Sequence, residues 1–340
     1  MRRRILVVKL AAIGDVLRTT ALLPAIHARY PDARVTWLTQ PGAVPLFDRN
    51  PLVDEVLAYD SAITAARLRV ETFDVVLCPD ADPDAAVLAA AAQGEDHRGF
   101  LMNSQGAVVP ISDGARAWFE MGLSDADKTA NRETYQTLVA RVLDLDPATV
   151  GRPVLEPSAT DIAAATKWRA SLDCDRPLVG LNTGAGGRWA YKQWTEDNQI
   201  EFLRLATARG LGVVLLGGPE ESERHRSLLA AAPSQPVFDA GTDNSFHRFA
   251  ALVDLCDALV TGDTFALHVG CAREKPIVAL FGPTSSAEIE LYGQGEKIEP
   301  PGFDCLCCYL PRCDRVPHCQ AAIDAETVVA AVERLLAATG

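Results

Sequence analysis

Asp15 stands where a short apolar run, ILVVKL from Ile5 to Leu10, breaks at Ala11-Ala12-Ile13-Gly14 and restarts as the helical pattern VLRTTALLPAI. An acid at the carboxyl end of a strand and the mouth of a helix is either a helix cap or a catalyst. A second group runs Asn182-Thr183-Gly184-Ala185-Gly186-Gly187-Arg188-Trp189, followed by Lys192 and Trp194. Backbone amides, a hydroxyl and two cations in so short a span suit a polyanion such as a diphosphate; the alternative is a flexible loop with solvated charges. Gly217-Gly218-Pro219-Glu220-Glu221 closes a later strand. A carboxylate there can accept hydrogen bonds from ribose hydroxyls, although acids in a first helical turn are also stabilised by the helix dipole. Thr261-Gly262-Asp263-Thr264 repeats the opening geometry of strand, Gly-Asp and helix. Its helix amino end can hold phosphate oxygens and Asp263 can bind hydroxyls. His268 lies one turn on from Thr264, as a ligand or as a packed structural support.

Nine cysteines are present; four are scattered (Cys78, Cys174, Cys256, Cys271) and five lie between Cys305 and Cys319. The scattered ones read as small buried hydrophobes in a reducing compartment. In the cluster, Cys305 and Cys308 have CxxC spacing, and with Cys313 and Cys319 they offer four thiolates for a tetrahedral Zn or single Fe, with Cys307 as a spare. A disulfide pair or an iron–sulfur cluster are the rival readings, and disulfides fit a cytoplasmic enzyme poorly.

The elements that must position these groups alternate in βαβ rhythm. After the opening unit come the strands 34–39, 53–59 and 73–79, with helices at 61–70 and 82–92. Residues 103–129 read as irregular, and a helix resumes at 132–143. The edge of the first domain falls near Leu145, ahead of a linker marked by Pro147, Pro153 and Pro157 and a helix from Ala159. The rhythm then restarts with strands at 177–182, 212–218, 237–239, 257–263 and 276–282 and helices between them. These give two doubly wound parallel-sheet domains, 1–150 and 151–324, facing across a cleft; the last helix, 325–340, is expected to cross back onto the first domain.

Length bounds this reading, since 340 residues suit two domains that each bury a core. No apolar run reaches the roughly 18 residues needed to span a bilayer. The start mimics a signal peptide, but Lys9 and Asp15 interrupt it, so a cytoplasmic protein is expected. A net charge of −13 argues against a nucleic-acid partner. Arg2, Arg3 and Arg4 could touch an anionic membrane surface, although a solvated edge explains them as well. No Gly-x-Gly-x-x-Gly follows either leading strand, which disfavours a dehydrogenase.

Taken in order, LAAIGDVLRTTALLPAI, GAGGRWAYKQW, LLGGPEE, TGDTFALHVG and ALFGPT resemble the signature of the glycosyltransferase family nine heptosyltransferases, over nearly the whole chain. The resemblance implies a GT-B architecture and transfer of heptose from ADP-heptose. It implies Asp15 as general base, Lys192 with Thr183 on the diphosphate, Glu220 or Glu221 on the adenosine ribose, and Asp263 with Thr264 on sugar and phosphate. Thr183, Gly184, Arg188, Lys192, Glu220, Glu221, Asp263, Thr264 and His268 together form the expected donor site. This chain has Ala11 and Ala12 where the family usually has a serine before Gly-Asp, and Phe265 where it usually has glycine, which restricts how closely a ligand approaches the backbone.

The chemistry agrees with such residues, because transfer from a nucleotide sugar needs a base for the incoming hydroxyl and cations or helix amides for the departing diphosphate. No catalytic metal is required if protein charge holds the leaving group. The expected reaction is inverting, onto a lipopolysaccharide core, another saccharide or a protein. Cysteine-rich ends of this kind resemble those of protein-modifying heptosyltransferases that carry iron. The competing functions are a non-catalytic sugar-nucleotide-binding or assembly protein, a transferase using another nucleotide sugar, and a GT-B-like epimerase, which lacks a visible second acid/base set.

Overall fold

The opening apolar run forms β1 (Arg4–Val8), buried over nearly its whole length, as a strand flanked on both faces must be. In this computed structural model, which describes residues 2–59, 62–186, 191–232, 236–310 and 312–339, the chain divides into two compact units. One comprises Met1–Val154 with Ala287–Glu290, the other Leu155–Ser286 with Leu291–Gly340.

In the first unit β1 is followed by α1 (Ile13–Thr19), α2 (Leu23–Arg29), β2 (Arg34–Thr39), β3 (Glu55–Ala58), α3 (Ala62–Val70), β4 (Thr72–Cys78) and α4 (Pro83–Ala91). Then come β5 (Gln93–Met102), β6 (Val108–Pro110), α5 (Asp113–Leu123), α6 (Asp125–Ala130) and α7 (Tyr135–Val142). The sheet order is β3-β2-β1-β4-β5-β6, parallel except for the last pair.

Residues 103–129, expected to be irregular, are mostly ordered as β6, α5 and α6, and β5 precedes them unforeseen. The reason is that β5 carries Glu95, Asp96, His97 and Arg98 in succession and buries fully only Gly99 and Phe100, so it lacks an apolar pattern. Its charges are answered locally, with Arg98 pairing Asp96 at 2.9 Å and Asp144 at 2.5 Å. Helices α5 and α6 begin at Ser112 and Ser124, whose side chains accept from Ala115 and Asp127 amides.

The second unit runs α8 (Ala159–Ala170), β7 (Leu178–Asn182), α9 (Glu196–Ala208), β8 (Gly212–Leu216), α10 (Ser222–Ala231) and β9 (Val237–Asp239). It continues with α11 (Phe246–Asp254), β10 (Ala258–Gly262), α12 (Phe265–Ala272), β11 (Ile277–Leu280), β12 (Gly295–Ile298) and α13 (Ala325–Thr339). All six strands are parallel, in the order β12-β11-β10-β7-β8-β9. Helix α13 packs on α9, β10, β11 and β12 of its own unit. Its apolar face, with Val328, Val329 and Val332 fully buried, joins the core of Phe202, Val260 and Val278. Its entry is pinned where Trp194 Nε1 and Asn198 Nδ2 each donate to the Ile323 carbonyl at 2.9 Å. No helix among the described residues is long and apolar enough to cross a membrane.

Both sheets reverse direction beside their first strand, between β1 and β4 and between β7 and β10, and ligand-binding crevices of open sheets form beyond such points. In the first unit the two loops leaving this point are joined by Lys9, only 4% exposed, whose Nζ donates to the Ala11 carbonyl at 2.9 Å and to Asp80 Oδ1 at 2.5 Å. Burial works against both charges, lowering the lysine pKa and raising that of Asp80. The ammonium nevertheless ends well above its ordinary value, because Tyr135 and the Asp80 and Asp15 carboxylates favour its charged form. Lys9→Met is expected to cost about 3–5 kcal/mol in urea unfolding, since it strands a buried carboxylate, whereas Lys9→Met with Asp80→Leu recovers most of that loss.

Candidate active site

Asp15 occupies the first turn of α1, whose N-cap is Ala12 and carries no side-chain capping bond. The carboxylate is turned along the helix to Arg18 at 2.9 Å, with its side chain 38% exposed. The Arg18 guanidinium in turn lies 3.6 Å from the ring centroid of Tyr135 on α7. A partly exposed carboxylate held among Arg18, Lys9 and Asp80 can accept a proton from an approaching hydroxyl.

In the second unit the loops after β7 and β10 converge. Asn182, the last residue of β7, donates from Nδ2 to the Gly184 carbonyl at 2.7 Å and to Thr264 Oγ1 at 3.3 Å. Thr264 Oγ1 also meets Thr261 Oγ1 at 3.1 Å, so the hydroxyl is drawn toward the sheet and does not cap its own helix α12. Lys192 Nζ pairs with Asp263 Oδ2 at 2.9 Å, both side chains being at most 20% exposed. Gly184, Lys192, Asp263 and Thr264 are thus brought to one place, and a cation next to a helix start suits phosphate oxygens.

Two expected donor residues are buried, and a third is not among the described residues. Thr183 is fully buried; its Oγ1 donates to the Leu216 carbonyl at 3.2 Å and meets His225 Nε2 at 3.0 Å, while its amide and carbonyl serve Leu216 and Gln199. A hydroxyl so committed ties the loop after β7 to β8 and α10. His268 is also buried, at 6% exposure on α12. Arg188 lies outside the described residues.

The two glutamates divide by burial. Glu221 is 6% exposed and its Oε2 accepts from the Gly218 amide at 2.8 Å, closing the turn that precedes α10. Its carboxylate presses on Gly184 so closely that a Cβ there would lie 2.0 Å from Oε1, which explains the glycine without any ligand. Glu220 is exposed and, with Glu221, Gly186, Gln193 and Arg224, lines a cavity of about 500 Å³. Phe265 packs against Phe246 and Phe249 at 5.1 and 5.9 Å between ring centroids.

Several residues were not singled out in the sequence. Lys9 had a signal, a charge inside an apolar strand. Arg18, Tyr135, Asp80 and the pairing of His225 Nδ1 with Asp239 at 2.8 Å had none, because each contact joins distant segments or adjacent turns of ordinary composition.

The cysteine segment folds onto the turn after β11. The Cys307 amide donates to the Gly282 carbonyl at 2.9 Å, and Cys319 Sγ sits where a Cβ on Gly282 would be only 2.5 Å away. Burial pushes the Cys319 thiol up to about 11, with Cys308, Cys313 and Cys305 close enough to add to the effect. His318, whose pKa burial lowers, has a buried Nδ1 without a hydrogen-bond partner. All nine cysteines are free thiols. Among the described residues no three His, Cys, Asp or Glu side chains form a closed set that would hold a metal ion.

Residues 64–300 match glycosyltransferase family 9 (heptosyltransferase). Lipopolysaccharide heptosyltransferase 2 of Salmonella typhimurium is 24% identical over 307 residues, covering 83% of each chain. The solved ADP-heptose lipopolysaccharide heptosyltransferase II of E. coli superposes with a TM-score of 0.73 at 21% identity, over 100% of this chain and 99% of that one. The iron-containing dodecameric heptosyltransferase TibC of enterotoxigenic E. coli, solved with ADP-D-β-D-heptose, has a TM-score of 0.62 at 11% identity, over 100% of this chain and 77% of that one. With its two Rossmann-like parallel-sheet units, the chain is a GT-B glycosyltransferase and belongs to glycosyltransferase family 9, the heptosyltransferases.

Proposed function

We propose that this chain transfers heptose from ADP-heptose, with inversion, to a hydroxyl of a lipopolysaccharide core saccharide. The observation that carries the reading is the convergence of Lys192, Asp263, Thr264 and the amino end of α12 beyond the reversal point of the second sheet. A carboxylate, Asp15, stands beyond the corresponding point of the first. The donor named for the E. coli relative, ADP-heptose, is the ligand such a set suits.

In this mechanism Asp15 takes the proton of the acceptor hydroxyl as its oxygen bonds to the anomeric carbon. The bond from that carbon to the diphosphate oxygen breaks, and ADP departs with the electron pair. Lys192 leaves Asp263 for the diphosphate and offsets the growing negative charge, joined by the first amides of α12. Asp263, released from the ammonium, accepts hydrogen bonds from heptose hydroxyls. Glu220 at the rim of the neighbouring cavity accepts from the ribose, while Glu221 supports the loop from beneath.

A structural metal at Cys305, Cys308, Cys313 and Cys319 is a separate part of the proposal. Thiols near enough to influence one another electrostatically, with an orphaned imidazole nitrogen on the neighbouring His318, are donor types that suit Zn or Fe, although among the described residues they do not form a closed set. Such an ion would tie the segment to the end of β11. The cysteine-rich segment, which resembles those of protein-modifying heptosyltransferases that carry iron, makes a protein acceptor the second reading.

Asp15→Asn is expected to keep ADP-heptose affinity in calorimetry while transfer falls by about 10²–10⁴-fold; normal turnover removes Asp15 from the role, and ADP binding without transfer by the wild type to any saccharide or protein acceptor would return the chain to a binding function. Lys192→Ala should weaken ADP binding at least about tenfold, the loss of one charge-assisted contact. Elemental analysis of protein purified under reducing conditions should give one equivalent of Zn or Fe, and Cys308→Ser should release it; much less than one equivalent in the wild type sinks the metal site.

A further inference from the structure

An aspartate and an arginine three residues apart on a helix ordinarily form a weak, solvent-screened pair. The pair on α1 differs because its cation is not free to swing. The Arg18 side chain is 16% exposed and its guanidinium lies 3.6 Å from the Tyr135 ring centroid, within reach for a cation–π contact. The ring is fixed in its turn. Tyr135 is 5% exposed, meets Trp118 edge-on at 5.9 Å, and donates its amide to the Glu288 carbonyl at 2.9 Å. Thr19 Oγ1 donates to the Asp15 carbonyl at 2.6 Å, so at its 2.8 Å contact with Tyr135 it accepts the phenol proton. The contacts therefore close on themselves, from the Asp15 carboxylate through Arg18, Tyr135 and Thr19 back to the Asp15 backbone.

We infer that Arg18, clamped on the face of Tyr135, is a positioning residue that orients the Asp15 carboxylate and keeps it ionised for proton abstraction. The inference rests on the reading of Asp15 as the base. The charged groups facing Asp15 are Arg18 from its own helix, Lys9 after β1 and Asp80 after β4, with Tyr135 from α7. Lys9 is engaged by Asp80 and the Ala11 carbonyl, and Asp80 opposes ionisation of Asp15. Arg18 touches the carboxylate at 2.9 Å, and a nearby opposite charge favours the ionised form. Removing it lets the carboxyl take up its proton at higher pH, so the acid limb of transfer moves upward and activity is lost first on the acid side.

The test follows the Asp15 carboxyl by ¹³C NMR in the full chain labelled at aspartate, with Asp15→Asn identifying its signal. In Arg18→Met the titration midpoint should rise by about half a unit or more, and transfer at neutral pH should fall while ADP affinity by calorimetry holds. Arg18→Lys should restore much of the midpoint but not the rate, since an ammonium supplies charge without the planar stack. Tyr135→Leu should raise the midpoint with Arg18 still present, and Tyr135→Phe, which keeps the ring, should not. An unmoved midpoint in a folded Arg18→Met protein overturns the inference. Normal transfer by Asp15→Asn overturns instead the base on which it rests, and the two failures are read from different variants.

Discussion

A single ammonium, buried to 4% exposure, holds the working end of the first sheet in shape. Lys9 interrupts an apolar strand because the two central strands of that sheet, β1 and β4, end in loops that would otherwise have no reason to stay together. By donating to the Ala11 carbonyl on one side and to Asp80 on the other, it fixes the path of the chain four residues ahead of Asp15. Helix α1 is too short, at seven residues, to set its own direction by helical propensity. Its orientation is inherited from this tie below and from Tyr135 beside it.

The second unit reaches a similar arrangement without a buried lysine. There the two loops at the reversal point are joined by Asn182, a neutral side chain reaching Gly184 and Thr264, and the Lys192 ammonium, paired with Asp263, is more exposed than that of Lys9. The difference agrees with the proposed division of labour, in which a cation that receives a diphosphate must be able to exchange partners and the cations around a single working carboxylate need not.

Much of this was legible in the chain. Strands that end in Gly-Asp or Asn-Thr-Gly and pass into helices announce both reversal points, and the apolar β-branched runs of 4–8, 178–182 and 258–262 announce the strands that flank them. What was illegible was of two kinds. Strand β5 hides because its charges are satisfied by neighbours rather than excluded from the interior. The structural bonds of Thr183 and Glu221 were hidden for another reason. A hydroxyl and a carboxylate next to a glycine-rich turn read as ligand groups, yet the turn itself has amides and carbonyls that must be answered, and those residues answer them.

The stretch Ala287–Glu290 belongs by its packing to the first unit although it is encoded after β11 of the second. Its Glu288 carbonyl receives the amide of Tyr135, the ring on which Arg18 rests. The halves of this chain are therefore not interchangeable modules. A hybrid enzyme that joined residues 1–154 to the remainder of a relative would import a foreign loop under Tyr135, so recombination between family members has to carry that four-residue return along with the amino-terminal half, or rebuild it.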